Sequence, residues 1–364
     1  MAHEAQVRYS DLVLAKLRAE LVLADGFVFN NDYEGDPKAG AVKIPVRDTE
    51  VTVSDYDKAN GLAPTTGSTS YTTLVIDKDK AVNEVIDGYD AASVPDNLVA
   101  DRLDSAGYSL ARQLDTDGAT TLLAGATAMS IASLTKDNIY SNIVDIRTAM
   151  SKADVPDDGK RYLLVTPDTF ALILKSPEFI SASDLGDSVK QNGILGKIGG
   201  FLVKEWNDST ANLAMIAGHP RYATRVHEWS VPVKVQDLAQ SGDYIGACAV
   251  QGRRVYGHKV LRATAIRAVY APGALTVSLA ASDSGKTIAT VTAGNTGTTY
   301  AYKLNPASRA TFDETSTAYG GTSLTSGTTK IAVSEGDVIE IVNLSSSKVK
   351  AVAYVTVTAS DIGA

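Results

Sequence analysis

The chain has 364 residues, 44% hydrophobic and 21% charged, which places it with folded globular proteins and excludes collagen-like and disordered classes. Its 34 Lys and Arg against 42 Asp and Glu give a net charge of −8, an unsuitable balance for a protein whose main work is gripping nucleic acid. A single cysteine, Cys248, excludes an intrachain disulfide and any all-cysteine metal site.

No apolar run approaches the roughly 18 residues needed to cross a bilayer. The N-terminal MAHEAQVRYSDLVLAKL carries acids and lacks the apolar core of a secretory signal, so a cytoplasm is the expected compartment. Leu12, Leu14, Leu17, Leu21 and Leu23 predict a short amphipathic helix over 10–24. From Asp32 to Asp90 the pieces Ala41–Val46, Glu50–Ser54 and Tyr71–Ile76 read as strands around a loose centre, Asn60-Gly-Leu-Ala-Pro-Thr-Thr-Gly-Ser-Thr69. This predicts a long two-stranded arm, and a lone ribbon is marginal in water. The arm needs a partner.

Ser93 and Pro95 form a helix-start signal. Val99, Leu103, Ala106, Leu110 and Leu114 give one apolar stripe, and Gly125 is a stop. A second helix, over about 136–152, is marked by Ile139, Ile143, Ile146 and Met150 and broken by Val155-Pro-Asp-Asp-Gly159. Arg161–Val165 reads as a buried strand, Thr166–Pro167 as the start of a short helix with Phe170, Ile173 and Leu174, and Phe201–Val203 and Leu213–Ala217 as strands. Val231–Tyr270 is β-rich.

Composition breaks at Ala271–Pro272–Gly273. Of the 93 residues that follow, 28 are Ser or Thr and 13 are charged. Alternating runs at Leu275–Ala281, Thr287–Thr292, Thr299–Leu304, Lys330–Val333, Val338–Val342 and Val349–Val357 predict an all-β sandwich of immunoglobulin-like size. Hairpin turns are expected at Asn295–Gly297 and Ser334–Asp337.

Candidate chemistry is thin. His3, His219, His227 and His258 have no metal-ligand spacing, and Arg221 and Arg225 oppose a cation between His219 and His227. Gly193-Ile-Leu-Gly-Lys-Ile-Gly-Gly200 lacks Walker spacing. Asn30, Asp32, Glu34 and Gly35 imitate a calcium loop whose closing Glu position is Ala41. Asp115-Thr-Asp117-Gly118 is acidic but lies within the long helix. Cys248, in an apolar alternating run, reads as buried and structural. No nucleophile–base or carboxylate pair can be named, so no catalytic, cofactor-binding or metal-binding residue is expected and the chain is not read as an enzyme. The basic residues Arg253, Arg254, His258, Lys259, Arg262 and Arg267 are divided between two faces by strand alternation. They read as a solvated or subunit-facing rim, with weak contact to packaged nucleic acid as the other reading.

The order of the pieces resembles a tailed-bacteriophage major capsid protein of the Hong Kong 97 fold. The carrying stretches are Val42-Lys-Ile-Pro-Val-Arg47 through Asp87, Val94-Pro-Asp-Asn97 through Ala124, Arg161-Tyr-Leu-Leu-Val-Thr-Pro-Asp-Thr-Phe170, and Asp243-Tyr-Ile-Gly246 to Arg267. The resemblance implies an α+β shell domain over 1–271: an N-terminal arm (1–31), an extended β loop (32–90), a spine helix (93–125) and a mixed α/β body (126–271). Residues 272–364 resemble an added immunoglobulin-like sandwich on the outer surface, adhering weakly to glycans or decorating the particle. The implied partners are further copies of the chain, as hexamers and pentamers closing an icosahedral shell, with a separate scaffolding protein, a portal and packaged double-stranded DNA touched only weakly. No membrane partner or cofactor is implied. The implied location is the virion, assembled in the host bacterial cytoplasm. Lys58, Lys78 and Lys80 are available to a subunit crosslink, but nothing identifies a partner. The rival readings are an encapsulin-like cargo shell and an adhesion protein acting through the C-terminal β domain.

Overall fold

The computed structural model describes residue 18 and residues 21–23, 25–36, 40–46, 50–64, 66–67, 69–93, 98–177, 196–238, 244–293 and 299–363. His3, Arg47, Pro95, Asp243, most of the helix expected over 10–24, the first part of the 193–200 loop and the turn expected at Asn295–Gly297 lie outside the described residues.

In chain order the elements begin with β1 (Ala41–Val46), β2 (Ser70–Val75), β3 (Lys78–Ile86), α1 (Gly88–Ser93), α2 (Leu98–Gly125), β4 (Thr127–Ser130) and α3 (Ile139–Ser151). There follow β5 (Tyr162–Val165), α4 (Pro167–Leu174), β6 (Lys197–Ile198), β7 (Phe201–Glu205), β8 (Leu213–Gly218), β9 (Ala223–Asp237), β10 (Cys248–Val260) and β11 (Arg267–Tyr270). The remainder is β12 (Gly273–Ala274), β13 (Thr276–Ala281), β14 (Lys286–Ala293), β15 (Thr299–Leu304), α5 (Ser316–Tyr319), β16 (Thr322–Leu324), β17 (Lys330–Ala332), β18 (Val338–Ser345) and β19 (Lys348–Thr356). Two compact units result, Met1–Gly125 with Pro220–Ala263, and Ala126–His219 with Thr264–Ala364.

In the first unit β3, β10 and β9 form an antiparallel sheet in that order. The 28 residues of α2, about 42 Å at 1.5 Å per residue, lay the expected stripe on it. Ala106, Leu110 and Leu114 are buried, and Val99 and Leu103 are half-buried. Ser93 does not start this helix. It ends α1 and its hydroxyl donates back to the Asp90 carbonyl, 3.2 Å. Cys248 is half-buried at the rim of the Ile86, Ala106 and Val250 cluster, more open than the sequence suggests.

The arm is a hairpin, β1 against β2, with Val46 opposite Ser70. Glu50–Ser54 is not a strand. Extending the register sets Thr52 opposite Pro64, which has no N–H to donate, and Val51 and Val53 are left 84% and 94% exposed. β3, at the end of the expected arm, instead joins the sheet. The arm's root is not bare: Ile44 and Leu74 are buried with Val226 among Tyr33, Val42, Ile76 and Leu261. Gly257 of β10 makes that contact possible, since a Cβ there would fall 2.6 Å from the Val75 carbonyl oxygen.

The second unit holds a six-stranded mixed sheet, β4-β11-β8-β5-β7-β6. All four residues of β5 and all six of β8 are buried, as are Ile139, Ile143, Ile146 and Met150 of α3. Buried Arg161 staples the loop after α3, donating to the carbonyls of Pro156 (2.9 Å) and Val155 and to Ser151 Oγ (3.2 Å). The Thr166 hydroxyl does not cap α4. It bonds the Ala214 carbonyl at 3.2 Å and Thr169 Oγ1 at 3.0 Å.

After Ala271 two sheets, β12-β19-β18-β15-β16 and β13-β14-β17, face each other. They share a core of Leu275, Ala289, Ile331, Ile339, Ile341 and Ala353 with their neighbours. The six alternating runs all lie in strands. β12, β16 and α5, too short to leave a periodic signal, were not anticipated. Ser334–Asp337 is a turn but not a hairpin, because β17 and β18 belong to different sheets. Within this unit the sandwich is docked on the body. The Asn212 amide donates to the carbonyls of Ala271 (3.1 Å) and Lys350 (2.9 Å), Phe312 N donates to the Ile131 carbonyl (3.0 Å), and the Phe312 and Tyr270 rings stack at 5.6 Å. Truncation after Ala271 uncovers Ile131 and Tyr270, and should leave the six-stranded sheet folded but weaker by about 1–3 kcal/mol. Amide exchange in β4 and β11 measures this; unchanged protection would contradict the docking.

Candidate functional site

Two features of the first unit stand out: the hairpin's uncovered apolar side chains and a buried ionic cluster beneath its root. Beyond the β1–β2 ladder the arm exposes Val51, Val53, Tyr56 and Leu62, and on β2 Tyr71 and Val75. Its tip is shaped locally. Asp57 accepts from Ala59 N (2.9 Å) and the Asn60 amide (2.6 Å), and Gly61 N closes the turn on the Asp57 carbonyl at 2.7 Å. These contacts hold the Asp57 carboxyl below its usual range, the backbone donor contributing most. The result is a formed tip whose apolar side chains meet no cover among the described residues.

The cluster centres on Arg225 of β9, whose side chain is 3% exposed. Nη1 reaches Asp25 at 3.0 Å, Nε donates to His258 Nε2 at 2.9 Å, and Nη2 lies 3.9 Å from Asp115. The guanidinium sits 4.8 Å from the centre of the Phe29 ring, a cation–π contact strengthened by burial. Four chain segments thus meet on one charge: the turn before β1 through Asp25 and Phe29, α2 through Asp115, and β9 and β10. Burial raises the Asp115 pKa, while the His227 hydrogen bond and then Arg225 lower that of Asp25. His258 accepts with Nε2, so its proton is on Nδ1. Burial, then Arg225, pushes its pKa down to about 3. Alongside, the Tyr256 hydroxyl donates to Asp117 at 2.8 Å. Gly118 leaves the room: a Cβ there would lie 3.1 Å from Phe29 and 3.3 Å from both Arg225 and His258.

The acidic run at Asp115–Gly118 is therefore the helix's face of an ion-pair cluster. Arg225, noted in the sequence only as an obstacle to a metal, is its centre. The signal available was an acid pair followed by a glycine in mid-helix. The other histidines are partnered, His219 to Asp158 at 2.9 Å and His227 to Asp25 at 3.4 Å. The basic residues do not form one patch. Arg253 is bound to Asp79 (2.7 Å) and stacked over Trp229, His258 is buried, and Arg267 belongs to the second unit. Lys78 pairs with Asp77 at 3.0 Å, and Lys80 lies 4.0 Å from Asp117. Among the described residues no group of three His, Cys, Asp or Glu is arranged to hold a metal, and no helix is long and apolar enough to cross a membrane.

Two tests follow from the cluster. Gly118→Val should cost about 1–3 kcal/mol by overpacking, whereas Gly107→Ala, on the same helix with nothing within 4 Å, should stabilise by up to about 1 kcal/mol; chemical denaturation distinguishes them, and equal shifts would contradict the packing. His258 titrates near 6.5 unfolded and about 3 folded. Its contribution is therefore present above 6.5 and is lost as pH falls toward 3. The depressed Asp25 acts in the same sense further into acid, and the raised Asp115 opposes it. His258→Gln, which keeps an acceptor for Arg225, should flatten the decline in melting temperature below pH 6.5; an unchanged slope would contradict the assignment.

A family model described as phage capsid protein matches residues 84–271, a stretch that includes α2, Arg225 and His258. No curated protein matches the chain. Among solved structures, the chain is similar to one from Mycobacterium phage Che8, at 24% identity and TM-score 0.61 over 73% of this chain and 96% of that one. The capsid structure of cyanophage P-SCSP1u is similar at 13% identity and TM-score 0.61, over 73% and 92%. The bacteriophage PhiM1 mature capsid follows at 15% and 0.55, over 71% and 92%. At these identities the likeness is one of fold. The family match, which spans just over half of the sequence, carries the assignment: the chain belongs to the phage capsid protein family and is a structural protein of the virion.

Proposed function

We propose that this is the major capsid protein of a tailed bacteriophage with the Hong Kong 97 fold, assembling as hexamers and pentamers into an icosahedral shell around double-stranded DNA. In this reading β1 and β2 are the extended loop laid over a neighbouring subunit, α2 is the spine helix, and residues 126–271 are the mixed body. Residues 272–364 are an outward-facing immunoglobulin-like sandwich that decorates the particle and adheres weakly to glycans. Assembly takes place in the bacterial cytoplasm with a scaffolding protein and a portal, and the DNA is touched only weakly.

The observation that carries this reading is the hairpin. Its root packs on its own unit, but beyond the ladder Val51, Val53, Tyr56 and Leu62 stay in solvent. Burying them against another molecule stabilises the arm, and a second copy supplies such a surface with every subunit added. The coverage of the structural neighbours is consistent with an added outer domain: each is spanned over more than nine-tenths of its length by roughly three-quarters of this chain.

Val51→Asp with Val53→Asp tests it. Both sites are almost fully exposed, so the folded subunit should change by no more than about 0.5 kcal/mol, while assembly into particles should be lost. Normal particles from this variant would contradict an interface role for the arm.

A further inference from the structure

The sandwich carries a concavity of about 390 Å³, within the range of roughly 300–1,000 Å³ that small-molecule sites occupy. It is lined by Thr299 and Tyr300 of β15, Ser316 and Thr317 of α5, Ser323 of β16, and the Ser346–Ser347 turn between β18 and β19. Among the described residues every polar side chain in this lining is a hydroxyl, and no charged side chain contributes. The hydroxyls of Thr299, Thr317, Ser323, Ser346 and Ser347 make no hydrogen bond among the described residues. Tyr300 reaches the lining from β15, but its side chain packs against the core between the two sheets.

The turn is built against local preference. Ser346 and Ser347 hold φ of 51° and 60°, a left-handed pair that hairpins normally give to Asn-Gly, and strained backbone of this kind clusters at functional sites. Asn or Gly would relax the turn and remove hydroxyls from the lining. A hydroxyl both donates and accepts, so a ring of free hydroxyls matches a ligand whose groups do the same. With no cation or carboxylate present, the site has nothing to pair with a charged group.

We propose that this pocket binds a neutral saccharide. The inference rests on the glycan-adhering reading of the sandwich and gives that reading a site and a ligand class; it does not depend on shell assembly.

The test is saturation-transfer NMR on the full chain with maltotriose, cellotriose and chitotriose, and with a sulfated trisaccharide as the charged comparison. Co-sedimentation with insoluble chitin and cellulose separates recognition of a polymer surface from recognition of a free sugar. At least one neutral saccharide should give a transfer signal several-fold above that of the sulfated one. Thr317→Val with Ser347→Gly should reduce that signal at least fivefold while keeping the melting temperature, since the glycine suits the turn. Binding that survives the double substitution would overturn this pocket and leave glycan adhesion standing. Absence of transfer to every neutral saccharide, with no sedimentation on either polymer, would overturn both.

Discussion

The first unit depends on one buried positive charge. An arginine removed from water is tolerable only when groups around it replace the solvent, and the partners of Arg225 come from sequence positions as far apart as Asp25 and His258. Breaking such a cluster by removing one partner typically costs about 3–5 kcal/mol, so the turn at Asp25–Phe29, α2, β9 and β10 are held as one piece. The root of the hairpin packs on Val226, the residue after that arginine. The cluster therefore fixes where the arm leaves the body. Burial at the root and exposure at the tip thus meet in one hairpin, and the proposed function assigns the exposed part to a neighbouring subunit.

A similar division of labour holds in the second unit. The sandwich has its own core, yet Asn212, Phe312 and Tyr270 tie it to the six-stranded sheet through backbone carbonyls and a ring stack. A module docked this way holds the hydroxyl-lined hollow in a fixed orientation relative to that sheet. Were the domain to act at a particle surface, as proposed, such fixity would avoid the entropy that a flexible tether loses on contact.

Much of this was legible in the sequence because periodicity reports burial. The stripe of α2, the four buried residues of α3, strand β1 at Ala41–Val46 and the six alternating runs after Ala271 all follow from apolar spacing. What escaped has a common cause. Whether Glu50–Ser54 pairs depends on the residue opposite it, Pro64, and not on its own alternation. The partners of Arg225 depend on which segments the fold brings together, as does the dispersal of the basic residues around Arg253. The Ser346–Ser347 turn carries neither the Asn nor the Gly that a left-handed pair usually takes. Local patterns identify elements; contacts between distant segments fixed the anchor, and these leave little trace in a single sequence.

In the proposed function the chain completes itself by assembling with its own copies through the arm. Size-exclusion chromatography of the purified full-length protein, followed by negative-stain electron microscopy of the eluted species, addresses it most directly. Closed shells or rings of five and six subunits are the predicted result. A monomer that never assembles, even with its scaffolding protein supplied, would contradict the account.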